Sequence, residues 1–226
     1  MESTRQFQFE NVDITITEHL TAEISGAITQ HGAHLWPAAP VLAASLKRLY
    51  PAGIGDGGAC VELGCGCALP GMVASRLASE VVLTDKFDSG LEAARSTVKL
   101  NQSLCPVKVE QLSWGDDIKP IVDSLANPIK LLLAADCLYP DMSAWPDFFC
   151  TLAQFCALPS RPVALVAFHK RNGQQTLEPF VSYWRLKLEP IPLSELDLEK
   201  SENIGGTRLP GPSTGSIILY RITYCP

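Results

Sequence analysis

Apolar and polar residues alternate through Phe7, Phe9, Val12, Ile14 and Ile16 on either side of Glu10-Asn11, the period-two pattern of two short paired strands. After the glycine-containing stretch 24–32, the period changes. Pro40 suits the first turn of a helix in which Leu42, Leu46 and Leu49 recur at helical spacing up to Tyr50-Pro51. From there the pattern repeats as short apolar runs separated by helical stretches. The runs are 59–63, 80–85, 107–112, 129–135, 162–168, 186–191 and 216–223. The helical stretches begin near Pro70 (continuing through Val73, Leu77 and Ala78), at Ser89-x-x-Glu92 as a capping box, at Pro146 and at Thr176.

Strands alternating with helices predict an α/β fold built on a doubly wound, mostly parallel sheet, with 129–135 apolar enough to be buried on both faces. The last two strands have no helix between them. A parallel crossover needs room for one, so the final strand is predicted to run antiparallel, as the seventh of seven. The expected division is an N-terminal hairpin and lead-in over 1–35 and a main domain over 36–226.

The 226 residues, 46% of them hydrophobic, are enough for one domain with a sizeable core. No stretch approaches the roughly 18 consecutive apolar residues of a membrane span, and the first 15 residues lack the basic-then-apolar order of a signal peptide. The expectation is a soluble intracellular protein whose 8 cysteines are reduced thiols. Cys65 and Cys67 lack the further Cys or His partners of a zinc set, so no metal is expected. A net charge of −6 with scattered Lys and Arg argues against sequence-independent nucleic-acid binding and is compatible with a cationic partner.

The richest chemistry lies in 60–71. An apolar run ends in Gly64-Cys65-Gly66, a helical segment follows, and a second apolar run ends in Asp85, 21 residues after Gly64. That is the outline of a β-α-β nucleotide pocket, with glycines where the main chain approaches a ligand and a carboxylate placed for ribose hydroxyls. Leu69 stands where the third glycine of G-x-G-x-x-G would be, which argues against a nicotinamide-dependent oxidoreductase.

Further along, Trp36-Pro37-Ala38-Ala39, Val61-Glu62-Leu63-Gly64-Cys65-Gly66 with Leu69-Pro70-Gly71, Asp85, Leu112-Ser113-Trp114-Gly115 and Ala135-Asp136-Cys137-Leu138-Tyr139 occur in the order of the motifs of the seven-strand methyltransferases called family 16. The chain resembles that family over nearly its whole length. Around Phe168-His169-Lys170-Arg171-Asn172-Gly173 it is most similar to the methyltransferase-like protein 23 subgroup. The resemblance implies a Rossmann-like methyltransferase sheet and S-adenosylmethionine as cofactor. Gly64, Cys65 and Gly66 would flank its methionine and ribose, and Asp85 would take the ribose hydroxyls. Glu62 would orient the loop or the cofactor amine, Trp114 would lie against the adenine, Trp36 would contact the methionine side, and Ala135 would be a small wall.

The resemblance further implies a protein substrate with a basic residue, arginine (histones among the candidates) or lysine, and a cytoplasmic or nuclear location. Asp136 would hold the incoming nitrogen and Tyr139 would supply a wall and a hydroxyl. A carboxylate with an ordinary pKa of about 3.9 is a poor base for an amine near 10.4, so orientation is the role expected of Asp136. A small-molecule methyltransferase and a non-catalytic cofactor-binding module are the remaining alternatives. His169 reads as a structural residue, and the acids of 194–202 read as a solvated loop.

Overall fold

A computed structural model describes residues 2–9, 12–19, 34–138, 142–170, 176–196, 198 and 217–226. Its strands are β1 (Glu2–Phe9), β2 (Val12–His19), β3 (Ala59–Leu63), β4 (Glu80–Asp85), β5 (Val107–Gln111), β6 (Ile129–Ala135), β7 (Val163–His169), β8 (Leu186–Ile191) and β9 (Ile217–Tyr224). The helices are α1 (Ala38–Leu49), α2 (Leu69–Ala74), α3 (Asp88–Leu100), α4 (Lys119–Asp123), α5 (Trp145–Cys156) and α6 (Glu178–Tyr183). Pro70, Pro120, Pro146 and Pro179 each occupy the first turn of a helix, where a missing N–H costs nothing and the fixed φ is already helical.

β3 to β9 form one seven-stranded sheet in the order β5-β4-β3-β6-β7-β9-β8. Every pairing is parallel except those of β9, which runs antiparallel between β7 and β8. The reversed last strand is therefore present, inserted inside the sheet and not added at its edge. Alternate residues of the central strands face two layers. Val81, Leu83, Leu131 and Leu133 pack under α1, α2 and the hairpin, whereas Val82, Leu132, Ala134 and Val166 pack under α4, α5 and α6.

The chain winds outward in both directions from β3 and β6, so the carboxyl ends of these two strands form the switch point at which open α/β sheets hold ligands. Gly64 follows β3 there, and Asp136 follows β6.

Two expectations need correction. The capping box at Ser89 does not open α3: the helix has begun at Asp88 with Phe87 at its N-cap, because the Asp85 carboxylate accepts the Phe87 N–H at 3.0 Å and sets the start of the helix earlier. The α2 helix ends at Ala74 and continues to Leu77 and Ala78 only as turns. Helix α4, five residues long, has too little periodicity to be read from sequence.

β1 and β2 pair Phe9 with Val12 and Phe7 with Ile14 as a separate two-stranded sheet, and their buried stripe joins the core beside α1 and α2. The hairpin is also tied down by polar bonds. Asn101, at the end of α3, accepts the Thr15 N–H at 2.8 Å and donates to the Thr15 and Thr97 carbonyls at 2.6 Å each, while Thr97 Oγ1 accepts the Thr17 N–H at 3.0 Å. Asn101→Ala is expected to lower unfolding free energy by about 1–3 kcal/mol, measured by urea denaturation, with an unchanged far-ultraviolet circular dichroism spectrum.

Candidate active site

The turn after β3 bends in a way that demands glycine. Gly64 has φ 61°, and a Cβ there would stand 2.9 Å from the Cys137 Sγ and 3.2 Å from Trp114 Cζ2. The same distances show that the Trp114 ring and the Cys137 thiol close over the glycine loop. Trp114 is half-buried and meets Phe148 of α5 edge-on, with ring centroids 5.0 Å apart. The loop is fixed by Cys65 N–H donating to the Thr84 carbonyl at 2.8 Å, and it passes through two more left-handed residues, Gly66 and Ala68, before α2 begins.

Three carboxylates at this edge are buried, with exposures of 1% for Glu62, 6% for Asp85 and 1% for Asp136. Each accepts main-chain N–H groups. Glu62 Oε2 takes the Gly71 N–H at 2.8 Å, and a Cβ on Gly71 would come within 2.4 Å of that oxygen. Asp85 takes the Gly66 N–H on Oδ2 and the Phe87 N–H on Oδ1, each at 3.0 Å, and Gly90 packs closely over the carboxyl group. Asp136, at φ 55°, takes the Ala38 N–H on Oδ2 at 3.2 Å and the His169 N–H on Oδ1 at 3.0 Å.

Burial pushes the Glu62 carboxyl up to about 8, opposed by the Gly71 N–H and reinforced by the neighbouring Asp85 charge. Burial also raises Asp85, against the pull of the Phe87, Gly66 and Lys86 N–H groups. The thiols of Cys65 and Cys137 are pushed well above their ordinary value by the same burial and by the Asp85 charge. They are poorly reactive, and they leave a small apolar lining.

The structure thus brings together Glu62, Gly64, Cys65, Gly66, Asp85, Trp114 and the Ala135-Asp136 strand end. Trp36 lies half-buried two residues before Ala38, whose N–H reaches Asp136. Ala135 is half-buried, and Tyr139 falls outside the described residues, as do several of the acids of 194–202. His169 is joined to the site through its main chain. Sequence reasoning missed the parts played by Gly71 and Gly90, whose lack of a side chain gives Glu62 and Asp85 their places. It also missed Glu18, although Glu18 continues the inward-facing register of Val12, Ile14 and Ile16.

The residues fit S-adenosylmethionine. The glycine loop adds no side chain at Gly64 or Gly66, both at positive φ, Asp85 has acceptor capacity beyond its two N–H bonds, and the Trp114 indole lies beside Gly64. Neither Glu62 nor Asp85 has an ion-pair partner among the described residues, so two acids stand uncompensated by side-chain cations beside the glycine loop, which suits a ligand carrying positive charge. Among the described residues no three His, Cys, Asp or Glu side chains gather to hold a metal, and no helix is long and apolar enough to cross a membrane.

Because Glu62 titrates higher folded than unfolded, its protonation contributes stability that is complete below about 4.5 and disappears as pH rises through about 8. Asp85, raised from 3.8, acts in the same sense from a lower pH. Melting temperature of the cofactor-free protein is expected to fall between pH 5 and 8 on account of Glu62, and Glu62→Gln, which can still accept the Gly71 N–H, is expected to flatten that slope; differential scanning calorimetry across this range measures it.

Comparison with known proteins bears on the fold and the family. The chain is 27% identical over 199 residues to the histone-arginine methyltransferase METTL23 of Xenopus laevis, covering 85% of this chain and 80% of that one. It is 30% identical over 198 residues to METTL23 of Mus musculus, covering 84% and 73%. Among solved structures, the 16S rRNA N2 G1207 methyltransferase (RsmC) of T. thermophilus superposes with a TM-score of 0.59 at 11% identity; all of this chain matches 51% of that one, a likeness of fold. Residues 9–182 match the family described as lysine methyltransferase, Methyltransf_16, and the chain belongs to that family of methyltransferases.

Proposed function

We propose that this protein methylates a side-chain nitrogen of arginine in a protein substrate, with histones the leading class and lysine the second reading. The observation that carries the proposal is the acidic, glycine-opened pocket at the β3/β6 switch point, with Trp114 closing over Gly64. Arginine comes from the METTL23 relatives, and lysine from the family description. Such substrates would place the protein in the nucleus or cytoplasm.

Bound S-adenosylmethionine supplies an electrophilic methyl group on a sulfonium centre. The chain's own residues hold and orient. The Gly64–Gly66 main chain gives the ligand close approach, Asp85 offers its remaining lone pairs to the ribose hydroxyls, and Trp114 offers its ring to the adenine. Glu62 acts on the loop through Gly71 and contributes negative charge to the methionine end. Trp36 borders that end, and Cys65 and Ala135 keep the walls small.

Displacement at a methyl carbon needs a neutral nitrogen held in line, so alignment of the acceptor is the main task at the β6 end. Asp136 is buried with a main-chain N–H on each oxygen. We therefore assign it to holding the α1 start and the β7 end around the acceptor, with its charge favouring a cationic side chain, in preference to direct contact with the nitrogen. Tyr139, three residues on, remains the candidate for a hydroxyl beside the acceptor.

The test is incubation with methyl-labelled S-adenosylmethionine and a histone-containing extract, with Asp85→Ala as control. Label on protein arginine, identified by mass spectrometry and lost in Asp85→Ala, is expected; label only on small molecules would overturn the reading. Asp136→Ala is expected to lose both turnover and stability, about 1–3 kcal/mol for each N–H left without its acceptor. Lost turnover at unchanged melting temperature would restore Asp136 to direct contact with the nitrogen.

A further inference from the structure

We infer that Glu18, on strand β2 of the N-terminal hairpin, is a positioning residue for the cofactor pocket: it holds the Leu35–Ala38 segment, and with it Trp36, from the side opposite Asp136. The inference rests on the methyltransferase reading for the meaning of Trp36, although the clamp itself is a feature of the cofactor-free protein.

The hairpin register places Glu18 on the inward face. Val12, Ile14 and Ile16 of β2 are buried, as are Phe7 and Phe9 of β1, and the next inward positions are Glu18 and Arg5. An ionisable side chain at the end of an apolar stripe loses water, and it is tolerated only where donors replace that water. Glu18 is 2% exposed, and donors meet both of its oxygens. Its Oε1 accepts the Leu35 N–H at 3.0 Å and lies 3.4 Å from His34 Nδ1, and its Oε2 meets Arg5 Nη1 at 3.3 Å.

Leu35 begins the four-residue segment that ends at Ala38, the first residue of α1, and the Ala38 N–H is held by Asp136 Oδ2 at 3.2 Å. Two buried carboxylates, one from the hairpin and one from the β6 end, therefore grip Leu35 and Ala38, with Trp36 and Pro37 between them. The Trp36 ring is met edge-on by His34 at 5.4 Å between centroids, and His34 itself lies against Glu18. Glu18 is also felt on the glycine loop, where its charge adds to burial in raising the Cys67 thiol. One side chain thus touches the hairpin and the lead into α1, and its charge reaches the loop at Cys67.

A short segment held at both ends is ordered before the ligand arrives, so less entropy is lost on binding. The hairpin then acts on affinity through Glu18, separately from its general contribution to stability. Asn101, which docks the other part of the hairpin onto α3, makes none of these contacts and separates the two roles.

The experiment uses the full chain labelled with 5-fluorotryptophan. The Trp36 fluorine resonance is assigned with Trp36→Phe, and S-adenosylhomocysteine binding is measured by calorimetry for wild type, Glu18→Ala, Glu18→Gln, Glu18→Asp and Asn101→Ala. Glu18→Ala is expected to shift or broaden the Trp36 resonance and raise the Kd roughly tenfold. Glu18→Gln, which keeps an acceptor for the Leu35 N–H, is expected to recover most of both. Asn101→Ala is expected to lower the melting temperature and leave both in place.

Should Glu18→Ala not fold, Glu18→Asp keeps the charge and withdraws the acceptor, and it is expected to move both readouts. The inference is overturned if neither Glu18→Ala nor Glu18→Asp moves the Trp36 resonance, if the Kd stays within about twofold of wild type, or if Asn101→Ala reproduces the effect. If wild type binds no S-adenosylhomocysteine, the cofactor reading fails instead, and the Trp36 resonance alone decides whether Glu18 holds the segment.

Discussion

A carboxylate taken out of water needs donors, and at the carboxyl edge of this sheet the donors are main-chain N–H groups. Glu62 collects Gly71, Asp85 collects Gly66 and Phe87, and Asp136 collects Ala38 and His169. Each bond joins a strand end to a different piece of chain: the start of α2, the glycine loop, the turn into α3, the start of α1 and the end of β7. The loops at this edge are shaped by these acids, and the N–H groups that the loops supply help to keep the acids buried. The two requirements are met together or not at all.

This arrangement also sets the electrostatics. Side-chain cations would neutralise Glu62 and Asp85 and leave little for a ligand to gain, whereas N–H dipoles satisfy a carboxylate without bringing a full positive charge to it. In a low-dielectric site that charge acts strongly on whatever enters. Burial, with a smaller addition from the Asp85 charge, raises the Glu62 carboxyl to about 8, so part of the acidity is held back by a proton until a positive ligand arrives. A cationic cofactor and a cationic acceptor side chain are both favoured by a site of this sign.

The sequence made the sheet legible because its central strands are apolar on both faces and helices such as α2 and α5 open on prolines, signals that survive without tertiary context. Gly64 and Asp85 were legible because a nucleotide pocket imposes their spacing. The capping box at Ser89 misled because the Asp85 carboxylate, a tertiary neighbour of the glycine loop, claims the Phe87 N–H and starts the helix one residue before that serine. Gly71 and Gly90 were opaque for a similar reason: only the fold shows which carboxylate presses on them. Asp136 was read from its motif as a group facing the substrate, and its two main-chain partners, 98 and 33 residues away in sequence, have no local signature.

Glu18 lies between these cases. The period-two pattern that predicts the hairpin also predicts that Glu18 and Arg5 point inward, and a charged pair on an inward face is a warning that something polar waits there. What waits is the Leu35 N–H, reached across a stretch of sequence with no regular pattern. A hairpin that served only to cover apolar surface would be better closed by another Val or Ile at position 18, since burying a carboxylate costs more than burying an aliphatic chain. An acid at that position makes sense when the segment it holds has to be in one place, and that segment runs through Trp36 to Ala38, whose N–H is held by Asp136 at the β6 end.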